Sequence, residues 1–465
     1  MIRLEHAGVR WELQPDFEPL LGEVLAAPGQ VVSEQPPGVI SLRTAQGKKF
    51  LLTETRRAGT WSRLGAAFRK GPTARDAWQA AQQLAALPVA IVRHLAFGEK
   101  PGGASVLIRE AFDGVPLDEA AAQCSDAIYE FFNQLYRRGV TILNPRPDDV
   151  LVRLDPLEIR LANLDRVALQ KEVSEAERLK LLAFLRAFLP LKVPRDVERE
   201  SENVRRAWLA TRARRSLESD REFSRRELGK LRWRVRVAGG DSALEPVLRD
   251  PDTFLERDAW IMQRSDGVTL GGAPGVALKR FDGRRGARGS GLRGLPSGLR
   301  HFCLARLLEL AGVPTPRPLA CGQREASSRS YFLMEEIPQA KSLRQWEGDA
   351  REAVRRVGEV LGGLHRAGLS HENLRETNFI FDAAGRFYLV GFDGLSLDAK
   401  LFADRALADL NRLVANTRKL HALTKSERIT FLHAYCRARH IRAGDLFTRT
   451  WQVRSLAAVR RESRG

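Results

Sequence analysis

HENLRETNFI (residues 371–380), followed shortly by VGFDG (390–394), is the stretch that decides the predicted fold of this 465-residue chain. The first segment places a histidine and two asparagines in a polar loop that ends in an apolar, strand-like run. The second places an aspartate in a glycine-flanked turn. Upstream, VALK (276–279) ends an apolar run with a lysine. Side chains of these types on strand-and-loop segments indicate one polar site built from distant parts of the sequence.

These three segments resemble the phosphate-handling motifs of protein kinases, and they stand in the order in which a kinase chain carries them. VALK resembles the strand that presents a lysine to the ATP phosphates. HENLRETN resembles the catalytic loop H-R-D-L-x-x-x-N, and VGFDG stands where the metal-binding D-F-G belongs. Glycines within residues 267–275 lie where a phosphate-covering loop belongs, but their spacing is not GxGxxG, and a hairpin with a glycine turn accounts for them equally well.

A narrower resemblance rests on five segments: GVPTPRPLA (312–320), YFLMEEIPQAKSL (331–343), LHRAGLSHENL (364–374), FYLVGFDG (387–394) and the helical tail at 409–439. They look like the lipopolysaccharide core kinase family, which includes the heptose and Kdo kinases WaaP and KdkA and the InaA-like proteins. The resemblance covers residues 259–440 well, and it is much more eroded over residues 38–235. It implies a bilobal kinase fold and a place in lipopolysaccharide core biosynthesis.

The same resemblance assigns roles to residues of the second half. The implied site residues are His371 and Asn373 in the degenerate catalytic loop, Lys279, Glu335 and Asn378 for ATP, and Asn378 and Asp393 for Mg²⁺ or Mn²⁺. No cofactor is expected in the first half.

The second half departs from the family pattern where the chemistry is most demanding. Asn373 stands in place of the aspartate that accepts the proton of the substrate hydroxyl, and an amide cannot accept a proton at neutral pH. Loss of a general base typically costs about 10²- to 10⁴-fold in rate. Gly391 replaces the metal-binding aspartate, and His301 lies near the expected glutamate partner of the lysine. The sequence therefore predicts nucleotide binding without turnover, or no nucleotide binding at all.

An internal repeat predicts that the domain is duplicated. LYRRGV begins at residue 135 and LHRAGL at residue 364, an offset of 229 residues. Further matches keep the same order at nearly the same spacing, which is the signature of a duplication. They pair residues 89–98 with 313–322, 144–155 with 373–384, and 159–169 with 387–397.

We therefore predict an α+β fold of two tandem bilobal protein-kinase-like domains, each with a small β-rich amino-terminal lobe and a helical carboxyl-terminal lobe. The predicted domains are residues 1–237 and 238–465. The Arg- and Glu-rich stretch 194–237 contains good helix formers, and it is predicted to form the last helices of the first domain and a helical connector.

The first copy has lost each catalytic position that the repeat aligns. Thr53 takes the place of the lysine, Asn144 that of the catalytic aspartate and Asn163 that of the metal-binding aspartate. Two prolines alter the backbone of the loop, so no phosphoryl transfer is expected here. Two interpretations of the nearby carboxylates stay open, a cation-binding cluster or ordinary loop residues: Asp148, Asp149 and Asp165.

Composition limits the classes of partner. The net charge of +19 favours an anionic partner such as nucleic acid, an anionic membrane face or a phosphorylated glycolipid. The four cysteines lie far apart and without metal-ligand spacing, which argues against a zinc site or a disulfide framework. Because no apolar run reaches the roughly 18 residues of a membrane span, a cytoplasmic protein is expected, with peripheral contact at the inner face of the inner membrane.

The leading hypothesis is a tandem pseudokinase that acts as a binding or scaffold factor in lipopolysaccharide core biosynthesis or modification. Its expected partners are the lipopolysaccharide core, a lipid-phosphate surface or a core-biosynthesis enzyme. The alternative is an active ATP-dependent kinase for a core sugar (heptose or Kdo) or for protein Ser/Thr, in which Asp393 or Glu372 replaces the lost groups. A nucleic-acid-binding protein is a minor alternative, disfavoured because no nucleic-acid-binding motif occurs.

Overall fold

The computed structural model describes residues 1–35, 38–55, 73–101, 103–171, 173–218, 222–237, 241–265, 267–283, 291–325, 327–397, 403–416 and 423–441. The chain divides into two compact units, Met1–Arg205 and Arg206–Gly465. Each unit combines a seven-stranded antiparallel sheet with a mainly helical part that carries short two- and three-stranded sheets. This architecture confirms the predicted α+β class and the predicted plan of two tandem units, each with a β-rich part and a mainly helical part.

An amphipathic helix lies in the chain between two strands of the first sheet, and it starts at a defined cap. Thr73 accepts a hydrogen bond from the backbone N–H of Asp76, and the Asp76 side chain reciprocates, so the helix Ala74–Leu84 begins with a capping box. Trp78, Ala81 and Leu84 bury one face of this helix. In spatial order the strands are Ile2–His6, Val9–Leu13, His94–Glu99, Ser105–Glu110, Lys48–Thr55, Gly38–Ala45 and Gln30–Gln35.

The sheet of the second unit repeats this order strand for strand. Even the packing repeats, because a Cβ on Gly98 would lie 2.8 Å from the ring of Trp11, and a Cβ on Gly322 would lie 2.5 Å from the ring of Trp233. The topology therefore supports the predicted duplication. In spatial order these strands are Phe223–Leu228, Leu231–Arg236, Pro318–Arg324, Ser330–Glu335, Val276–Phe281, Val268–Ala273 and Trp260–Ser265.

The strand registers align the two copies residue by residue. Thr53 pairs with Ile40 on one side and Leu107 on the other. Lys279 pairs with Leu270 and Phe332 at the matching positions. The register therefore places Thr53 at the position of the lysine, as the sequence repeat predicts.

Further helices and short strands complete each unit. In the first unit the further helices are Glu18–Ala26, Leu117–Ala120, Ser125–Arg137 and Glu175–Phe188, with strands Val115–Pro116, Val140–Ile142, Val150–Leu154, Leu157–Leu161 and Val167–Leu169. The helix Arg195–Arg215 includes the point at which the chain divides into the two units. In the second unit the helices are Asp241–Arg249, Pro251–Thr253, Ser297–Leu310, Ala350–Arg366, Ala403–Asn416 and Lys425–Arg439, with strands Lys341–Ser342, Leu369–His371, Phe379–Phe381, Phe387–Leu389 and Leu395–Leu397.

The predicted helical connector requires a correction. Residues 195–215 are helical, but Phe223–Leu228 and Leu231–Arg236 form a hairpin whose second strand pairs with Pro318–Arg324 of the second sheet. This hairpin is the counterpart of the one at Ile2–His6 and Val9–Leu13. The division between the units therefore falls at Arg205/Arg206 and not after residue 237.

Two glycines allow the helices Ala350–Arg366 and Lys425–Arg439 to pack closely. A Cβ on Gly358 would lie 2.7 Å from the carbonyl oxygen of Phe431, and one on Gly362 would lie 2.5 Å from that of Tyr435. Only a glycine fits such an approach of backbone to backbone. The first helix leads directly to the strand Leu369–His371, so this packing fixes where the loop after it begins.

Within the described ranges, no helix combines the length and the apolar character that a membrane crossing requires.

Candidate functional site

A cleft of about 900 Å³ opens in the second unit between the sheet and the loops that carry the predicted site residues. All six of those residues line it: Lys279, Glu335, His371, Asn373, Asn378 and Asp393. The fold therefore brings together side chains that are separated by more than a hundred positions in sequence.

One part of the cleft is apolar. Trp260 and Met262 lie over Gly272 of the next strand, where any side chain would overlap them. Trp260 is nevertheless 48% exposed, so its ring is available to a ligand. The remaining apolar lining comes from both lobes: Leu270, Ala277, Pro316, Met334, Ile337, Ala340, Ile380, Val390 and Phe392.

Lys279 is held in an ion pair inside the cleft. Its ammonium lies 2.8 Å from Oδ2 of Asp393, although the lysine itself is only 7% exposed. Burial opposes ionisation of Asp393, but the hydrogen bond from His301 and the charge of Lys279 outweigh it and hold the pKa of this carboxyl well below its ordinary value. Asp393 therefore acts as the counter-ion of Lys279, a role that kinases give to a glutamate.

His301 replaces that glutamate without contacting the lysine directly. Its Nε2 lies 3.1 Å from Oδ1 of Asp393, and its ring packs against Phe281 at a centroid distance of 4.6 Å. Burial lowers the pKa of His301, so the neutral imidazole donates from Nε2 to the carboxylate. The Lys279–Asp393–His301 arrangement is not evident from the sequence, where only the proximity of His301 to the missing glutamate signals it.

His371 organises the loop instead of titrating in it. Its Nε2–H donates to the carbonyl oxygen of Gly391 at 2.9 Å, and its Nδ1 accepts from the backbone N–H of Asn373 at 3.2 Å. Burial lowers the pKa of His371, which keeps this tautomer neutral. The histidine thus ties the predicted catalytic loop to Gly391, the position of the lost metal-binding aspartate.

The amide oxygens of the loop are already occupied. Oδ1 of Asn373 accepts from Nε of Arg375 at 2.9 Å, and Oδ1 of Asn378 accepts from the backbone N–H of Arg375 at 2.8 Å. Nδ2 of Asn378 donates to the carbonyl oxygen of Val390 at 3.2 Å. Both asparagines therefore stabilise the loop through its own groups.

Gly391 leaves no room for the missing carboxylate. Its φ of 82° lies in the left-handed region, and a Cβ built on it would overlap Nδ2 of Asn378. An aspartate here would have to displace Asn378 from its hydrogen bonds. The loop is thus packed around a glycine at position 391, with Asn378 in the space that an aspartate side chain would need.

The donor set does not fit a divalent cation in this arrangement. Mg²⁺ prefers an octahedron of oxygens with one or two carboxylates. Asp393 offers one carboxylate, which is shared by Lys279 and His301, and the oxygen of Asn378 is engaged within the loop. Across the described residues, no group of three or more His, Cys, Asp or Glu side chains comes together to hold a metal. The metal role assigned to Asn378 and Asp393 stays a prediction that this geometry does not support.

A buried polar network anchors the loop from below. Asp409 accepts from the backbone N–H of His371 at 2.7 Å and pairs with Nε2 of His365 at 3.2 Å. The hydroxyl of Tyr435 lies 2.7 Å from Nδ1 of His365 and accepts from Arg439 at 2.6 Å. The sequence reasoning missed this network, because its members lie on three separate helices and carry no local motif.

In the first unit, an arginine stands at a position that corresponds to the cleft lining of the second unit. The strand registers align Arg109 with Met334, and its guanidinium donates to the carbonyl oxygen of Ala162 at 2.6 Å and to Oδ1 of Asn163 at 3.2 Å. Asn163 in turn donates to Asp149 at 3.3 Å. The polar groups of this unit therefore bind one another.

The carboxylates of the first unit differ in environment. Asp149 is buried, and burial together with the neighbouring charge of Asp148 raises its pKa to about 7. Burial also raises the pKa of Asp165. Among the described residues they do not form a group of three or more metal-ligating side chains.

Comparison with known proteins finds a family match within the second unit. Residues 294–435 match the family model described as "Lipopolysaccharide kinase (Kdo/WaaP) family". The 3-deoxy-D-manno-octulosonic acid kinase of Xanthomonas campestris pv. campestris (strain B100) is 36% identical over 124 residues, which are 25% of this chain and 50% of the relative. The protein of the same description from Xylella fastidiosa (strain 9a5c) is 34% identical with the same coverage. The chain thus spans about half the length of these curated relatives.

Two solved structures show weaker likeness. The complex described as "WaaP in complex with acyl carrier protein" has 18% identity and a TM-score of 0.31, covering 42% of this chain and 88% of that chain. Monomeric WbdD has 16% identity and a TM-score of 0.25, covering 35% of this chain and 39% of that chain. The sequence match at residues 294–435 agrees with the predicted resemblance of this part of the chain to the lipopolysaccharide kinase (Kdo/WaaP) family.

Proposed function

We propose that this protein is a pseudokinase of the family, and that it acts as a binding or scaffold factor in the biosynthesis or modification of the lipopolysaccharide core. The observation that carries the proposal is the pair Asn373 and Gly391, which stand in the cleft where a kinase needs its base and its main metal ligand. Asn378 packs against Gly391 and occupies the space that a metal-binding aspartate would need at this position.

The remaining groups support ligand binding better than phosphoryl transfer. Transfer requires a group that orients the acceptor hydroxyl, and a cation that neutralises the charge of the transferred phosphoryl group. Asn373 is held by Arg375, and Lys279 is neutralised by Asp393. The cleft itself stays open and partly apolar, as a site that holds a small ligand requires.

The charge distribution supports an anionic partner for the second unit. Residues 1–205 contain 28 basic and 27 acidic side chains, whereas residues 206–465 contain 48 basic and 30 acidic ones. The excess of positive charge therefore belongs almost entirely to the second unit. The phosphates of the lipopolysaccharide core, or a lipid-phosphate surface at the inner face of the inner membrane, are the partners that this excess favours, with a core-biosynthesis enzyme as a further candidate. The proposed location is the cytoplasm.

Binding to such a surface can be measured with the full chain. Cosedimentation with vesicles of phosphatidylglycerol is expected to exceed that with phosphatidylcholine, and to weaken as the salt concentration rises, because exposed charges are screened. Equal binding to both vesicles would exclude the lipid-phosphate surface and leave the core sugars or a protein partner.

An active kinase is the second candidate, and one observation favours it. The carboxylate of Asp393 is 63% exposed in the cleft beside Lys279, so it is positioned to meet a substrate. The curated relatives are themselves described as kinases of 3-deoxy-D-manno-octulosonic acid. In this reading ATP with Mg²⁺ or Mn²⁺ would supply the phosphoryl group to a core sugar.

Phosphate transfer separates the two candidates. The full chain is incubated with labelled ATP, Mg²⁺ or Mn²⁺, and purified core lipopolysaccharide, beside the variants Lys279→Ala and Thr53→Ala. The pseudokinase predicts no transfer above background in any of them. Transfer that is abolished by Lys279→Ala and kept by Thr53→Ala, its counterpart in the first unit, would establish the active kinase instead.

A further inference from the structure

We infer that the cleft of the second unit binds a flat, uncharged heteroaromatic ligand, a nucleoside, without any divalent cation, and that it binds a nucleoside more tightly than the corresponding triphosphate. This inference rests on the proposed function, because it requires a cleft that binds but does not transfer phosphate. It deepens that proposal by naming the class of ligand.

The apolar part of the cleft has the composition that a flat ring requires. Trp260 and Met262 cover Gly272 at the edge of the sheet, and Ala277 keeps the adjacent strand free of bulk. Ile380 adds apolar surface from the helical lobe. An aromatic ring gains contact area and stacking on a tryptophan whose face is half exposed.

We call the apolar surface formed by Trp260, Met262, Ala277 and Ile380 the slot. The sheet of the first unit has the same strand order but differs at positions that correspond to this slot. The strand registers align Gln30 with Trp260 and Leu51 with Ala277. An amide thus replaces the aromatic ring, and a larger side chain replaces the small one. The internal duplicate therefore differs at the positions that the ligand would need.

The polar part of the cleft is unsuited to a triphosphate. Two cations line it, Lys279 and Arg375, against three carboxylates, Glu335, Glu336 and Asp393. Both cations already hold groups of the protein, since Lys279 pairs with Asp393 and Arg375 donates to Asn373. A triphosphate would bring several negative charges into a cleft whose own charge is negative, and like charges in proximity repel.

A metal ion cannot be expected to compensate. In kinases the cations bridge the β- and γ-phosphates and are themselves held by an aspartate and an asparagine of the protein. Here the aspartate position is Gly391, and the oxygen of Asn378 is taken by the loop backbone. A nucleoside needs neither the metal nor free cations, so the slot alone suffices to bind it.

Calorimetric titration of the full chain tests the inference with three probes: adenosine, AMP and ATP. Each is measured with Mg²⁺, with Mn²⁺ and with EDTA. Adenosine is expected to bind at least about tenfold more tightly than ATP, because the triphosphate is repelled by the carboxylates of the cleft. Replacing the metal by EDTA is expected to leave the affinity for adenosine unchanged.

Two variants link the binding to the slot. Trp260→Ala removes a half-exposed ring and is expected to weaken adenosine binding at least about tenfold without affecting the fold, since it removes the stacking of the base on the indole. Ala277→Leu introduces the residue of the first unit and is expected to abolish binding. Gln30→Ala, at the counterpart of Trp260, is the matched control and should bind like the unchanged protein.

The outcomes separate this inference from the proposed function. Metal-dependent binding of ATP that exceeds adenosine tenfold or more would overturn the inference, and without phosphate transfer the pseudokinase would stand. Full affinity in a folded Trp260→Ala variant, or no binding of any probe at millimolar concentration, would also overturn it and leave a scaffold role. Transfer of phosphate to core lipopolysaccharide would overturn the proposed function itself.

Discussion

The ammonium of Lys279 lies 2.8 Å from Asp393, on a carboxylate that also faces Nε2 of His301 at 3.1 Å. Lysine and aspartate are brought together by the sheet and by the turn after the predicted catalytic loop, two elements that belong to different lobes of the unit. The pair therefore links the lobes across the cleft, and it gives the buried lysine a counter-ion in the absence of the usual glutamate.

Asp393→Asn is expected to destabilise the protein, because it leaves the Lys279 ammonium buried without its counter-ion. The free energy of unfolding should fall by about 1–3 kcal/mol, and the exposure of Asp393 favours the lower part of that range. Urea denaturation measures the change. Glu372→Gln, at an exposed carboxylate of the predicted catalytic loop, serves as the control and should change stability by less than about 0.5 kcal/mol.

A double-mutant cycle tests whether the pair itself is responsible. Lys279→Met removes the charge, and the double variant Lys279→Met/Asp393→Asn should be more stable than the sum of the single effects predicts, with a coupling of about 1 kcal/mol or more. Strictly additive single effects would show that Lys279 and Asp393 stabilise the unit independently.

Local motifs made the positions of the site residues predictable, whereas their partners were not. The spacing of HENLRETN fixed the places of His371, Asn373 and Asn378, because a loop between two short strands has little freedom. Arg375 donates a hydrogen bond to each of these two asparagines. This pairing depends on how the loop turns in three dimensions, which the sequence does not show. The role of His301 at the position of the usual glutamate likewise becomes clear only in the structure, where Asp393 lies between this histidine and Lys279.

The fold, too, can be predicted only in part from the sequence. The sequence repeat predicts the duplication and the alignment of Thr53 with Lys279, because strand register propagates from one residue pair to the next. The sequence predicts helix for residues 223–236, because five arginines, two leucines, a lysine and a glutamate among them are good helix formers. Pairing with Pro318–Arg324 overrides that propensity, as tertiary context does in strands.

The buried Asp149 of the first unit predicts an unusual pH dependence. Its pKa is raised from 3.8 to about 7, so the folded protein binds a proton that the unfolded chain has released in this range. The free energy of unfolding should therefore fall as the pH rises from about 4 to 7, and level off above, by about 2–4 kcal/mol in total from this residue. Urea denaturation at pH 5, 6, 7 and 8 measures the slope.

Asp149→Asn should remove most of that slope, since an amide does not titrate, and the variant should gain stability relative to the unchanged protein as the pH rises. Asp113→Asn, an exposed carboxylate in the same unit, is the control. If the stabilities of Asp149→Asn and the unchanged protein run parallel from pH 5 to 8, the burial of Asp149 does not govern the pH dependence.

Tyr435→Phe tests the buried network beneath the loop. The hydroxyl accepts from Arg439 and lies 2.7 Å from Nδ1 of His365, so its loss leaves a buried ring nitrogen without its partner. The free energy of unfolding should fall by about 1–2 kcal/mol. Tyr129→Phe, which removes a hydroxyl from a half-buried tyrosine of the first unit, should have an effect within about 0.5 kcal/mol. Equal effects of the two variants would show that the hydroxyl of Tyr435 has no special role.

Gly362 offers a prediction in which helix propensity and packing oppose each other. Alanine is favoured over glycine inside a helix by up to about 1 kcal/mol. A Cβ at this position, however, would lie 2.5 Å from the carbonyl oxygen of Tyr435 on the neighbouring helix, and that backbone cannot yield without separating the two helices. Gly362→Ala is therefore expected to lower the free energy of unfolding by about 1–3 kcal/mol, the usual cost of overpacking.

Gly22 is the matched control for Gly362, since it also lies inside a helix, Glu18–Ala26. A Cβ on Gly22 would meet only the ring of His6, at 3.9 Å. Because no close contact opposes the added methyl group, helix propensity should determine the effect of this substitution. Gly22→Ala is therefore expected to raise the free energy of unfolding by up to about 1 kcal/mol. Thermal or urea denaturation of the two variants side by side gives the comparison, and opposite signs are required. A stabilising Gly362→Ala would mean that the helices Ala350–Arg366 and Lys425–Arg439 do not approach as closely as their glycines allow.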